Sequence, residues 1–258
     1  LSQLSEAVEQ AGGELGYDVL VHCNYQRDVA QTYEFLNGGM ADGLLFFGPT
    51  AGEPLLPLLR SSSLPTVLVG PRYTETQLSS VTDDEERGME LIADALVERG
   101  HTLIGAIVDE ADGVVDPTGR VSRLKAALAN RGVDVQKENV IVLRGTPAEA
   151  VEALVSLPNR PTALFVWHDR TAYLIVEALE ARGLTVPDDL SVVGYDGIVW
   201  PSTSTHVVAT VKVPIVEMAA TAVAFLNRLV DGELGPLTQT LPVQFSPGTT
   251  LGLPAKQH

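Results

Sequence analysis

The sequence has 258 residues, with 33 acidic against 17 basic side chains and a formal net charge of −16 at pH 7. Its 45% hydrophobic and 19% charged content is globular, and the length allows one large or two medium domains, each with its own core. The single cysteine, Cys23, excludes an internal disulfide and a cysteine-based zinc site, and no apolar run approaches the ~20 residues needed to span a bilayer.

Residues 1–15 predict a helix, with Leu4, Val8 and Leu15 on one stripe, and nothing there has the basic start and apolar stretch of a secretion signal. Short apolar runs follow at 18–23, 43–47, 66–69, 103–108, 139–143, 162–166 and 190–195. Their apolarity is continuous rather than alternating, which suits strands covered on both faces, as in parallel sheets. Between them lie amphipathic segments at 28–39, 85–100, 119–132, 147–157 and 169–183, predicted as helices. Several close on a glycine placed as a C-cap: Gly38 or Gly39, Gly100, Gly132 and Gly183. Thr146, Pro147 and Glu149 form a helix start, the hydroxyl capping and the proline at the first helical position. The alternation predicts an α/β fold with doubly wound parallel sheet and right-handed crossovers. A helix that opens the chain with no strand before it breaks this rhythm, so an N-terminal part is expected to have been trimmed or to be missing. The Pro- and Gly-rich stretches 231–236 and 246–254 predict turns and short strands.

Ligands of open α/β sheets bind at the carboxyl ends of the strands. That rule selects Gly48-Pro49-Thr50, Gly70-Pro71-Arg72-Tyr73, Asp109-Glu110, Arg144, Trp167-His168-Asp169 and Asp196-Gly197 as rim residues. Asp196 follows a buried run, where a lone carboxylate is costly and needs a partner or an incoming donor. Arg120 stands at the start of a helix, where the macrodipole disfavours a cation, and its planar fork suits paired hydroxyls or a carboxylate. Asp169 reads as the N-cap of the helix running to Ala181, with His168 beside it facing the presumed cleft. Tyr73 and Trp200 are rim aromatics on which a ring-shaped ligand could stack. Glu85 and Glu86 read as carboxylates favouring a helix dipole, and Asp84 as the N-cap of that helix. No G-x-S-x-G elbow, phosphate loop or dinucleotide fingerprint occurs, and the five histidines lack metal-site spacing. An enzyme is therefore not expected, nor a metal or cofactor. The acidic balance repels phosphates, so any contact with DNA falls to a part outside this segment.

The strings 187-PDDLSVVGYDG-197, 98-ERGHTLIGAI-107, 120-RVSRLKAALANRG-132 and 206-HVVATVKVPIVEMA-219 resemble the effector-binding region of LacI/GalR-family transcriptional regulators, in order and over essentially the whole chain. The resemblance implies a periplasmic-binding-protein-like fold of two α/β lobes joined by three crossings, with a small effector between them. The lobes are expected at 1–83 with 213–240 and at 84–212 with 241–258. It implies that Arg120 grips ligand hydroxyls, that Asp196 accepts from them, and that Gly48, Tyr73, His168, Asp169 and Trp200 complete the ligand-binding set. His168 falls where the family commonly has an asparagine, Gly197 where it often has a second acidic residue, and the stretch Arg120-Val121-Ser122-Arg123-Leu124 lacks the family's glycine and aromatic. The implied partners are a sugar or sugar-like effector (or a nucleoside or purine), operator DNA through an absent N-terminal domain, and a second copy of the chain in a homodimer. A cytoplasmic repressor is the reading that follows; the alternative is the secreted binding subunit of an ABC-type sugar importer, which shares the fold.

Overall fold

The apolar runs pair into two separate sheets in the computed structural model, which describes residues 2–22, 28–50, 52–71, 75–109 and 119–255. The helices are α1 (Ser2–Glu14), α2 (Val29–Leu36), α3 (Leu56–Arg60), α4 (Glu85–Glu98), α5 (Arg120–Ala129), α6 (Pro147–Val155), α7 (Asp169–Ala181) and α8 (Ile215–Val230). The strands are β1 (Leu44–Phe47), β2 (Thr66–Val69), β3 (Ser79–Asp83), β4 (Ile104–Asp109), β5 (Val140–Leu143), β6 (Ala163–Val166), β7 (Ser191–Asp196), β8 (Ala209–Lys212), β9 (Thr238–Leu241) and β10 (Gln244–Ser246). The chain divides into two units, Leu1–Asp84 with Pro214–Pro242, and Glu85–Val213 with Val243–His258.

The first unit holds a parallel sheet in the order β1-β2-β3-β9. The central strand β2 is buried throughout, because it is paired on both sides. Helix α1 lies against α8, where Ala7, Val8, Ala219 and Val223 are buried together and the alanines let the two backbones approach. Tyr17 fastens the chain beyond α1 by donating its hydroxyl to Asn227 Oδ1 at 2.9 Å.

One expected strand is absent among the described residues. Residues 18–22 belong to no strand, and Leu20 and Val21 are 62% and 64% exposed; Cys23 lies outside the described residues. An apolar run becomes a strand only where a neighbour lies in register to exchange backbone hydrogen bonds, and residues 18–22 do not meet the free edge of β1 in that way. Local composition could not show that.

The second unit holds six strands in the order β10-β8-β7-β6-β4-β5, parallel except for β10 against β8. Successive residues of its inner strands enter different cores, as the two-residue period of a strand requires. Phe165, Val193 and Tyr195 face Met89, Ile92 and Leu96 of α4 and Leu124 and Leu128 of α5. Leu164, Val166 and Val192 face Val151 and Leu154 of α6 and Ile175, Val176 and Leu179 of α7. Helices on both faces are why the runs read as unbroken apolarity, and this is the doubly wound arrangement. Helix α6 starts at a reciprocal capping box, with Thr146 Oγ1 accepting from Glu149 N at 3.3 Å and Glu149 Oε2 accepting from Thr146 N at 2.7 Å. His101, fully buried, joins Thr162 Oγ1 at 2.9 Å to the Gly252 carbonyl at 3.1 Å, and burial holds its pKa below the usual histidine range. It is a packing histidine, not a ligand.

Gly88 on α4 admits the ring of Tyr195: a Cβ there would come within 2.7 Å of the phenol oxygen. Tyr195 is fully buried and has no room to retreat, so Gly88→Ala should cost about 1–3 kcal/mol of stability. Urea unfolding would show the loss as a lower midpoint at unchanged m-value.

Candidate functional site

Five parallel strands of the second unit bring their carboxyl ends to one edge of its sheet. Around that edge gather Arg120 from the start of α5, Glu85 from the start of α4, Trp167, His168 and Asp169 after β6, and Asp196 at the end of β7. The guanidinium of Arg120 lies 4.0 Å over the centre of the Tyr195 ring, a cation–π stack on a buried aromatic face. Its Nε donates to Glu85 Oε1 at 2.7 Å, and its Nη1 donates to the Trp167 carbonyl at 2.7 Å and faces Asp196 Oδ1 at 3.2 Å. Glu85 uses its other oxygen to accept from Arg123 Nη1 at 2.6 Å. Burial opposes the charge on Arg120, but the Asp196 and Glu85 carboxylates outweigh it and hold the pKa above the usual arginine value. The guanidinium is therefore a fixed cation. The pair is not sealed, since 21% of the Arg120 and 26% of the Asp196 side chain remain exposed.

Glu85 does more than the sequence suggested. It does sit in the first turn of α4, where a carboxylate suits the dipole, but it also bridges two arginines of α5.

The N-cap expected of Asp169 is supplied by His168 instead. His168 is the N-cap of α7, in extended backbone, and its Nδ1 accepts from Thr171 N at 3.0 Å. An accepting Nδ1 places the ring proton on Nε2. The imidazole also leans on Trp167, ring centres 4.4 Å apart. Asp169 is the first helical residue instead, fully buried, with Oδ2 accepting from Ile198 N at 2.7 Å. Burial pushes its carboxyl up to about 7, helped by the nearby Asp196 charge and opposed by hydrogen bonds from Thr210, Ile198 and Gly197. The local preference of aspartate for N-caps lost to a turn 29 residues away.

Trp200 packs on the α6–α7 core and carries the Arg170 guanidinium 4.8 Å above its ring, so one face already has a partner. Gly48 belongs to the first unit, where it turns the chain after β1 at φ +60° and donates to the Val69 carbonyl at 2.8 Å. Tyr73 lies outside the described residues. The structure thus brings Arg120, Asp196, His168 and Asp169 to one edge and adds Glu85 and Tyr195, which sequence reasoning had not placed there. Gly88 was the available signal for Tyr195, because a glycine inside an otherwise good helix marks a close approach. A separate cavity of about 540 Å³, lined by β5 and the start of α6 and including Arg144 and Glu149, shares none of these residues. Among the described residues no group of histidine, cysteine or acidic side chains could hold a metal ion.

Similarity to known proteins shows the family to which this edge of parallel strands belongs. The periplasmic binding protein-like domain family matches residues 93–251, and the chain belongs to that family. Its relatives are LacI-type transcriptional regulators. Catabolite control protein A of Priestia megaterium is 24% identical over 90% of this chain and 71% of the relative. The HTH-type transcriptional repressor PurR of Aliivibrio fischeri strain MJ11 is 29% identical over 89% and 71%. Among solved structures, a LacI transcriptional regulator from a Rhodococcus species superposes with a TM-score of 0.80 at 25% identity, covering 99% of this chain and 95% of that one. The transcriptional regulator CelR in complex with cellobiose superposes with a TM-score of 0.83 at 24% identity, over 96% and 78%.

Removing Glu85 leaves Arg120 and Arg123 each short of an anionic partner on half-buried ground. Glu85→Ala should lower stability by about 1–2 kcal/mol, discounted from the value of a fully buried charged hydrogen bond because both arginines keep some solvent. Chemical denaturation of the variant against the parent would measure it.

Proposed function

We propose that this chain is the effector-sensing domain of a LacI-type transcriptional regulator. It binds a small polar ligand, of the sugar class, in the interlobe cleft that the family resemblance implies. The single observation that carries the reading is the Arg120–Asp196 pair, 3.2 Å apart at the carboxyl edge of a parallel sheet and partly open to solvent. A planar donor fork beside a carboxylate acceptor matches two adjacent hydroxyls, each of which donates once and accepts once. A hydroxyl-rich guest would bridge them, and the Tyr195 ring beneath holds the guanidinium flat for it. The structural neighbour solved with cellobiose and the 27% identical arabinose metabolism transcriptional repressor of Geobacillus stearothermophilus support a carbohydrate over other polar ligands.

In this reading the domain binds and does not catalyse, and its relatives are named as regulators. Effector shifts the balance between lobe arrangements by its differential affinity for them, and a homodimer transmits the shift to a separate DNA-binding domain on cytoplasmic operator DNA. The formal charge of −16 supports assigning DNA contact elsewhere.

The test begins with thermal-shift screening against sugars, including cellobiose and arabinose, and against nucleosides. Calorimetry on the best ligand follows. Arg120→Ala and Asp196→Ala should each weaken binding by ~1.5–3 kcal/mol, the worth of a charged hydrogen bond, or about 10- to 150-fold. Unchanged affinity in both variants would remove the site. His168→Asn should keep the start of α7, because asparagine is also a good N-cap. It should change the ranking of ligands in the panel while leaving the melting temperature within a degree or two.

A further inference from the structure

The turn that carries Asp196 is built against the ordinary preferences of the backbone. Asp196 has φ +114°, the one non-glycine residue with positive φ among those described, and Gly197 follows at φ +79°. L side chains rarely adopt such a conformation, which persists only where the surroundings impose it. Three features impose it here. Gly197 lies so close over β8 that a Cβ would stand 2.8 Å from the Lys212 Cα. Gly197 N donates to Thr210 Oγ1 at 3.3 Å. Ile198 N donates to Asp169 Oδ2 at 2.7 Å. The third is the unusual one, because its acceptor is a fully buried ionisable group. Strand β7 is thinned to admit it, since a Cβ on Gly194 would overlap Asp169 Oδ1.

We infer that Asp169 is a positioning residue: its buried carboxyl fastens the 196–198 turn, so that the Asp196 carboxylate is held on Arg120 in a way governed by the proton of Asp169. The inference rests on the effector reading for what the turn presents, and it adds a proton to the regulation of that site. The groups that bear on the switch come from every neighbouring element. Asp196 of β7 supplies the like charge, and Arg120 of α5, itself held by Glu85 of α4, supplies the opposite one. Thr210 of β8, whose hydroxyl donates to the Val211 carbonyl at 3.2 Å, lies near Asp169 and favours its charged form, and Lys212 pairs in register with Asp196. On its own helix His168 is committed to the Thr171 N–H, and Arg170 lies over Trp200.

The direction follows from linkage. The Asp169 carboxyl is raised to about 7 in the fold from an ordinary 3.8. Between those values the folded chain keeps a proton that the unfolded chain has lost, so stability falls as pH rises through that window and levels off above it. Below about pH 7 Asp169 is a neutral acid beside the Asp196 carboxylate, and above it the two are like charges in one field.

Three measurements on the ligand-free chain test this. Asp169→Asn keeps the shape and an acceptor for Ile198 but cannot titrate. The melting temperature of the parent should fall by several degrees relative to Asp169→Asn between pH 5 and pH 8. The carboxyl carbon resonance of Asp196 should show an inflection near pH 7 in the parent that disappears in Asp169→Asn. Exchange of the Ile198 amide hydrogen should quicken at least tenfold in Asp169→Ala and be restored by Asp169→Asn. Parallel melting curves, an Asp196 titration identical in parent and Asp169→Asn, or unmoved Ile198 exchange in Asp169→Ala would each overturn the inference. If Asp169→Ala does not fold, the first two readouts decide alone. None involves effector, so their failure leaves the effector reading standing, whereas unchanged binding in Arg120→Ala and Asp196→Ala would remove that reading and leave these results intact.

Discussion

A guanidinium laid on a buried phenol ring needs neutralising from its edges, and the local design of the second unit follows from that need. Arg120 occupies the first position of α5, where the helix dipole disfavours a cation by some 0.3–1 kcal/mol. Against this stand a charged hydrogen bond to Glu85, another to the Trp167 carbonyl, the approach of Asp196 and the face of Tyr195. Each charged hydrogen bond is worth about 1.5–3 kcal/mol, so the contacts decide and the dipole does not. One side chain thereby ties α4, α5, β6 and β7 together at the edge where these strands end. The same contacts hold the fork nearly still before any ligand arrives, which lowers the ordering cost of binding.

Close approach at that edge is achieved by leaving side chains out. Gly88 lets Tyr195 lie under the arginine, and Gly194 lets the Asp169 carboxyl lie against β7. In the string VVGYDG, therefore, the first glycine serves a neighbour in space, the tyrosine supplies the platform and the aspartate faces the guanidinium. A side chain at either glycine would press directly on a residue of this edge.

Much of the fold was legible because it is decided locally. The Thr146–Glu149 capping box, the C-cap glycines and the apolar runs that became β1, β2 and β4 through β7 need only a few neighbouring residues to be recognised. The run at 18–23 looked the same and did not pair over 18–22, since strand formation depends on a partner lying in register, which no window of sequence contains. Likewise Glu85 showed its helix-start chemistry locally, while its two arginine partners lie 35 and 38 residues further along.

His168 and Asp169 show where such reading stops. By propensity aspartate is the better cap, and the pair differs by a single position, so local rules favoured the wrong member. What reversed them is the energetics of the turn after β7. A helix cap costs about 1 kcal/mol to lose, and here an imidazole nitrogen supplies it. A part-buried N–H at Ile198 left without its acceptor would cost a comparable amount, in a turn that already holds positive φ at Asp196. The residue with two strong acceptor oxygens is therefore spent on the turn, and the weaker acceptor on the helix. That allocation carries a consequence of its own: a carboxyl drawn far enough inward to secure the turn is also far enough from water for its proton to be in play near neutrality.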